Sequence, residues 1–201
     1  SMTEQVKPTP AMPGFDPEFG SLPDYILKIT AKIWEERGIG PALRRYYADQ
    51  VIVRASTGVL TSNEQVIQAT LATLHEFPDR RLLGEDVIWA EDPNGGYFSS
   101  HRLNCTVTHA GDGVYGPATG KKLRYRIIAD CAVRDNQIYD EWLARDQGAI
   151  AVCLGMTPRE LAQAQIDAGM TAVFTPDLDV AGLYNPVISD HPEAQAYAAL
   201  W

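Results

Sequence analysis

Two side chains in this sequence could move protons together: Glu141, in the run Ile138-Tyr139-Asp140-Glu141-Trp142-Leu143, and His101, in Ser99-Ser100-His101-Arg102-Leu103. A carboxyl enclosed by apolar neighbours resists ionisation, so its pKa rises toward neutrality and it can both give and take a proton. A histidine titrates in that range and can serve as a second acid/base or orient a substrate carbonyl. Asp146, further along the same run and just before Gln147-Gly148, is a reserve acid/base and also the residue type that caps a helix. Arg54 follows Val51-Ile52-Val53 and could point inward as an anion clamp. Arg102 stands beside His101 and could assist it.

These groups can cooperate only if strands turn them to one face, where side chains alternate with a period of two. From Arg81 onward the sequence reads as four long strands over residues 82–92, 97–110, 121–133 and 137–146, separated by Asn94-Gly95-Gly96, the glycine-rich stretch 111–120 and Asp135-Asn136. In the third strand the odd positions Leu123, Tyr125, Ile127, Ala129, Cys131 and Val133 are apolar, against Arg124, Arg126 and Asp130 on even ones. His101, Leu103 and Cys105 share the odd face of the strand before it. For the last hairpin, a three-residue loop Arg134-Asp135-Asn136 would pair Val133 with Gln137, Cys131 with Tyr139, Ala129 with Glu141 and Ile127 with Leu143. That register buries Glu141, and a two-residue loop would instead bury Asp140 and Trp142. The first is favoured because Asp135-Asn136 lacks the glycine preferred in the tightest turns. The face so defined supplies further ligand-binding candidates: Cys105, Tyr125, Ile127, Ala129, Tyr139 and Leu143, with Trp34 and Tyr47 contributed by the helical layer.

Helices must cover that face. Ser21-Leu22-Pro23 opens one in which Ile26, Ile29, Ile33 and Trp34 recur at helical spacing up to Gly38; Gly40-Pro41 starts a shorter one through Tyr46 and Tyr47. Ser62 with Gln65 forms a capping box for a third helix, halted by Phe77-Pro78-Asp79. Val51-Ile52-Val53 reads as a strand between the second and third helices. The fold class is therefore α+β: three N-terminal helices on a curved antiparallel sheet, with a helical C-terminal extension begun by the capping box Thr157-Pro158-Arg159-Glu160. Residues 1–20 carry four prolines and read as a flexible lead-in, 21–155 as the domain, and 156–201 as the extension.

The 201 residues carry a net charge of −9, which repels nucleic-acid phosphates and anionic lipid surfaces, so neither is expected as a partner. No apolar run approaches the roughly 20 residues of a membrane-spanning helix. Cys105, Cys131 and Cys153 are odd in number and free of C-x-x-C spacing, the pattern of core thiols in the cytoplasm. No phosphate-cradling glycine loop or H-E-x-x-H is present, and His101 and His109 are too far apart on one strand to suggest a metal, so no cofactor or metal is expected.

Several segments carry a family resemblance: Pro117-Ala118-Thr119-Gly120-Lys121, the hairpin into Gln137-Ile138, and Asp140-Glu141-Trp142 through Asp146-Gln147-Gly148 to Leu154-Gly155. With them go Thr106-Val107-Thr108-His109-Ala110-Gly111, similar to a T-G-x-H-x-G stretch, and the helix end Phe77-Pro78-Asp79. Together they resemble the SnoaL-like polyketide cyclase family of the nuclear transport factor 2-like superfamily, from Leu22 to Gly155. The resemblance implies a cone of helices on a curved antiparallel sheet around a pocket. In the cyclases an aspartate on the last strand is the acid/base of an intramolecular aldol closure; here Leu143 falls in its place, and Ile127 and Ala129 take neighbouring polar positions. The epoxide-hydrolase variant of the superfamily uses an Asp–Arg–Asp set, of which Arg102-Leu103-Asn104 has only the arginine. The expectation is a lyase, isomerase or hydrolase acting through Glu141 on a small, largely apolar carbonyl-type ligand, in a homodimer. The alternative is a non-catalytic ligand-binding or dimerisation module of the same fold.

Overall fold

A computed structural model describes residues 12–167. Helix α1 (Leu22–Thr30) begins where Ser21 accepts a hydrogen bond from the Asp24 amide, satisfying one orphan donor of the first turn, and Asp24 reaches back to accept from the Gly20 amide just before the cap. It widens into a π-helical turn, Ala31–Glu35, that carries Trp34, and Arg37 ends it in the left-handed region at φ 60°. Short α2 (Pro41–Tyr46) runs directly into strand β1 (Tyr47–Ala55), which pairs with β2 (Gly58–Leu60). Helix α3 (Asn63–Glu76) starts at the expected cap, with Ser62 accepting from the Gln65 amide. The meander follows as β3 (Arg81–Glu91), β4 (Tyr97–Thr108), β5 (Lys122–Arg134) and β6 (Gln137–Arg145), then α4 (Gln147–Leu154) and α5 (Pro158–Asp167).

The six strands form one sheet in the order β2-β1-β6-β5-β4-β3. It is mostly antiparallel, and β1 joins β6 in parallel through the crossover that the helices make possible. The fold class is the α+β arrangement read from the sequence. Two apolar clusters cover the inner face. One gathers Tyr25, Ile29, Ile33, Leu43, Val51 and Val133 under the first three helices; the other gathers Phe77, Cys105, Leu123, Tyr125, Ile150 and Leu161 under the last two. Ala129 packs against both.

Two expectations need correction. Residues 12–20 are not a loose lead-in: Met12, Phe15 and Phe19 are buried, and Phe15 and Phe19 each set a ring edge-on to Tyr25 at 5.0 Å. Prolines there shape a folded-back strap, and its aromatic spacing has no helical or strand period to betray it. The β5–β6 loop has two residues, not three: Arg134 pairs with Gln137, and Asp135 and Asn136 both adopt positive φ, 49° and 71°. This is the mirror-image turn that matches strand twist, with asparagine and aspartate tolerating the left-handed region without glycine. The expected pairing of Val133 with Gln137 is therefore replaced by Val133 with Ile138. Helix α5 starts at the expected cap, Thr157 accepting from the Glu160 amide, while the rest of the expected extension, beyond 167, lies outside the described residues.

Candidate active site

The two-residue turn alone would have put Asp140 and Trp142 inside. A bulge undoes that: β6 steps from Ile138 opposite Val133 to Asp140 opposite Ala132, leaving Tyr139 as the extra residue. From there Glu141 faces inward opposite Cys131, Leu143 opposite Ala129 and Arg145 opposite Ile127. On the next strand His101 lies opposite Ala129 and Leu103 opposite Ile127; on the other side β1 places Val53 beside Glu141. Glu141 and His101 thus share the inner face, roughly 10 Å apart across two strands and one inward row apart along them.

These residues enclose a cavity of about 120 Å³ between the two apolar clusters, roofed by Ile26, Ile29 and Trp34 below α1 and by Val66, Thr70 and Thr73 of α3. It adjoins a larger cavity of about 530 Å³ with which it shares Val53, Leu60, Ala69, Thr73, Leu143 and Arg145. The hydroxyls of Thr30, Thr70 and Thr73 bond back to the carbonyls of Ile26, Val66 and Ala69, so these roof donors are already used within the helices.

Polar capacity in the chamber therefore concentrates in a few groups. Glu141 is only 6% exposed; its Oε2 accepts from the Tyr47 hydroxyl at 2.6 Å and from Cys131 Sγ at 3.5 Å. Burial raises the Glu141 carboxyl above its ordinary range, outweighing the two donors and the nearby charge of Arg145, which pull the other way. Burial also drives the Tyr47 hydroxyl well above its usual range, with the Glu141 charge adding to it, so Tyr47 is a hydrogen-bond donor and not a base. Trp34 braces the tyrosine edge-on, with ring centres 6.1 Å apart. His101 is 2% exposed, its Nε2 has no hydrogen-bond partner among the described residues, and burial lowers its pKa to about 4, so it is neutral at pH 7.

The cavity brings together Glu141, His101, Trp34, Tyr47, Ile127, Ala129 and Leu143 from the expected set. It leaves the others elsewhere. Arg54 stands on the outer face, pairing with Asp140 at 2.6 Å and stacking over Trp142, because its β1 neighbours Val53 and Ala55 take the inward positions. Arg102 is likewise outward, paired with Glu85 at 3.2 Å, and Tyr139 lies in an outer groove under Arg134. Cys105 and Tyr125 are buried in the second apolar cluster; Tyr125 borders the larger cavity and Cys105 neither cavity. Asp146 accepts from the Ala149 amide at 3.0 Å and caps α4.

Two arginines escaped the sequence reading. Arg80 follows the helix stop Phe77-Pro78-Asp79, where no periodicity points inward, yet it is 7% exposed and lines the cavity. Arg145 was within reach, since it continues the parity of Glu141 and Leu143 by one more step. The larger cavity adds Glu76, whose buried carboxylate accepts from the Val114 amide at 2.7 Å and so ties the 111–116 loop to the end of α3.

With this geometry in hand, similarity to known proteins is informative. A family model described as SnoaL-like polyketide cyclase matches residues 25–152. Among solved structures, a SnoaL-like polyketide cyclase from Agrobacterium tumefaciens superposes with a TM-score of 0.53 at 17% identity, covering 67% of this chain and 98% of that one. TsrD from Streptomyces laurentii gives 0.55 at 16% identity, covering 65% and 92%. A protein of ketosteroid isomerase-like fold from Catenulispora acidiphila, in complex with trimethylamine, gives 0.54 at 10% identity, covering 67% and 95%. At such identities the likeness is one of fold. A search of curated proteins found no match.

Proposed function

The chain belongs to the SnoaL-like polyketide cyclase family, and from that premise we propose that it is a small-molecule enzyme in which Glu141 transfers a proton on a small, largely apolar carbonyl compound. The observation that carries this reading is the Glu141 carboxyl, held by Tyr47 at 2.6 Å in the wall of a largely apolar chamber. Ionised Glu141 would take a proton from carbon α to the carbonyl; the C–H electron pair passes into an enolate, and the protonated acid returns the proton to carbon or oxygen. The raised affinity of Glu141 for protons suits both halves of the exchange. Neutral His101 serves as a hydrogen-bonding partner for the carbonyl oxygen, in the tautomer that leaves a proton on Nε2. Leu143, where a cyclase would carry its aspartate, moves the acid/base role one inward step along β6, to Glu141.

A chamber of about 120 Å³ is close to the ~150 Å³ cavity known to take benzene, so a single six-membered ring is the matching scale. The test is proton exchange of cyclohexanone in deuterated water, followed by NMR. Wild-type protein should accelerate loss of the α-proton signal and Glu141→Gln should not. Equal rates for the two folded proteins would remove Glu141 from the role.

A second reading concerns assembly. On the outer face of the sheet Ile88, Phe98 and Ile128 are 66%, 48% and 45% exposed, interspersed with Ser100, Arg102 and Asp130, a mixed surface that a second copy of the chain could cover. We infer that two copies join through it; sedimentation should give a dimer for the wild type and a monomer for Ile128→Glu, and a wild-type monomer at high concentration would refute it. Cytoplasmic location, and the exclusion of nucleic-acid and membrane partners, belong to the same reading. They are supported by the net charge of −9 and the free thiols of Cys105, Cys131 and Cys153. Among the described residues no helix is long and apolar enough to cross a membrane.

A further inference from the structure

The inner chamber has an acidic and a basic end. Glu141, Leu143 and Arg145 follow one another on the inward face of β6, so the carboxyl and the guanidinium stem from positions roughly 13 Å apart, with leucine between them. Arg80, entering β3 from the far side of the sheet, lines the same cavity. Neither Arg80 nor Arg145 has a carboxylate within ion-pair distance among the described residues, whereas the hydroxyls of Tyr47, Thr30, Thr70 and Thr73 in the same wall are already paired. Arg80 goes further: it is 7% exposed and its Nε has no hydrogen-bond partner among the described residues. Burial disfavours the charged form of Arg80, and the positive charge of Arg145 adds to that.

A buried cation without a counterion is costly to the folded chain, and guanidinium does not escape the cost by losing its proton. Arg80 is such a cation, and Arg145, half-buried in the wall of the same cavity, adds a second positive charge; an arrangement that opposes stability is expected where binding requires it. Their shared need is an anion with two or more acceptor oxygens, which a planar guanidinium fork matches geometrically. Arg145 borders both the inner chamber and the larger cavity, so a charged group seated there keeps contact with the roomier side while its apolar body fills the chamber.

The geometry points to a carboxylate-bearing ligand: Arg80 and Arg145 hold its anionic group at one end of the chamber, and its apolar body extends toward Glu141 and Tyr47. This assigns Arg80 and Arg145 as the specificity-determining pair and narrows the substrate to an organic monoanion. It rests on the proposed reading only in placing the ligand in the same chamber. Anion binding is measured without turnover, so failure of either idea is visible separately from the other.

The probes are benzoate and its neutral isostere benzamide, titrated calorimetrically into wild-type protein, Arg80→Met and Arg145→Met. Benzoate should bind wild type about tenfold more tightly than benzamide or better, the scale of a charge-assisted contact. Each arginine variant should lose most of that preference while its weaker affinity for benzamide stays within about twofold. Ligand-free Arg80→Met should also melt at a higher temperature than wild type, because it no longer buries an unpaired charge, whereas a merely structural arginine would leave a less stable protein. Equal affinity for the two probes, binding of neither, or parallel loss of both in the variants overturns the proposal. Should one variant fail to fold, the other carries the same comparison.

Discussion

His101 offers a sharp physical test of the chamber because its burial sets both the sign and the size of an acid effect. In the folded chain its pKa is about 4 against an ordinary 6.5. Between those values the unfolded chain binds a proton that the folded chain refuses, so stability falls as pH falls. The full loss, reached below pH 4, is about 3 kcal/mol, and about 2 kcal/mol of it should already be gone at pH 5. The perturbation is His101→Leu, which keeps an apolar side chain on the inner face and cannot titrate. Urea unfolding of both proteins at pH 7.5 and pH 5.0 gives the comparison, with stabilities taken from midpoint and slope. Carboxylates such as Asp16 and Asp79, held below their usual range, and Glu76 and Glu141, raised above theirs, titrate alike in both proteins and cancel in the difference. Wild type should lose about 2 kcal/mol more than the variant over that interval. Equal losses would mean that His101 protonates freely in the folded state, and the burial that holds it neutral would be wrong.

Three further outcomes follow from neighbouring features. Glu141→Gln should abolish proton exchange and still stabilise the protein at neutral pH. A carboxyl raised in the folded state contributes most below pH 4.5 and loses that contribution as pH rises through its folded midpoint, at about 1.4 kcal/mol per pH unit of elevation, a loss glutamine does not suffer; urea melts from pH 5 to 8 would show the two curves diverging. Asp146→Ala should cost about 1 kcal/mol by removing the α4 cap and leave probe binding and exchange unchanged; loss of exchange with full stability would restore Asp146 as an acid/base. Phe19→Ala should cost about 3 kcal/mol in a denaturant melt, since this 2%-exposed ring packs edge-on against Tyr25 and Tyr46, and a near-neutral result would return residues 12–20 to the status of a loose lead-in.

Where sequence patterns repeat, they located the elements well. The four long strands and the capped helices stand within a residue or two of their expected bounds, because alternation in β5 and the Ser21, Ser62 and Thr157 caps are local signals. Side-chain direction was harder to read at single positions. Arg54 lies in a strand whose parity is set by pairing with β6, where its own partner is Trp142 far along the chain, and nothing local marks it as outward. Arg80 lies in a turn, where no period exists. Met12, Phe15 and Phe19 sit among prolines, and their burial depends on meeting Tyr25, Tyr46 and Tyr97 in space.

Glu141 shows how an inward carboxyl can be inferred by a route the chain does not take. The three-residue loop and the two-residue loop with a bulge at Tyr139 give Glu141 the same face, but they pair it differently, with Ala129 in the first and Cys131 in the second. The bulge makes a deletion prediction that separates them. Removing Tyr139 leaves Ile138 opposite Val133 and Asp140 opposite Ala132 in an unbroken ladder, so Glu141, Leu143 and Arg145 keep their inward places. The expected cost is chiefly the contact with Arg134, whose guanidinium sits 5.1 Å from the Tyr139 ring centre, about 1 kcal/mol. Removing Trp142 instead shifts everything after it by one: Leu143 and Arg145 turn outward and Ala144 turns in, across the wall shared by both cavities. Circular dichroism and urea melts should find the Tyr139 deletion folded and still able to bind benzoate, and the Trp142 deletion unfolded or unable to bind. If the Tyr139 deletion were the one to collapse, the bulge would not be what aims Glu141 into the chamber, and the register that places the acid beside Tyr47 and Cys131 would have to be abandoned.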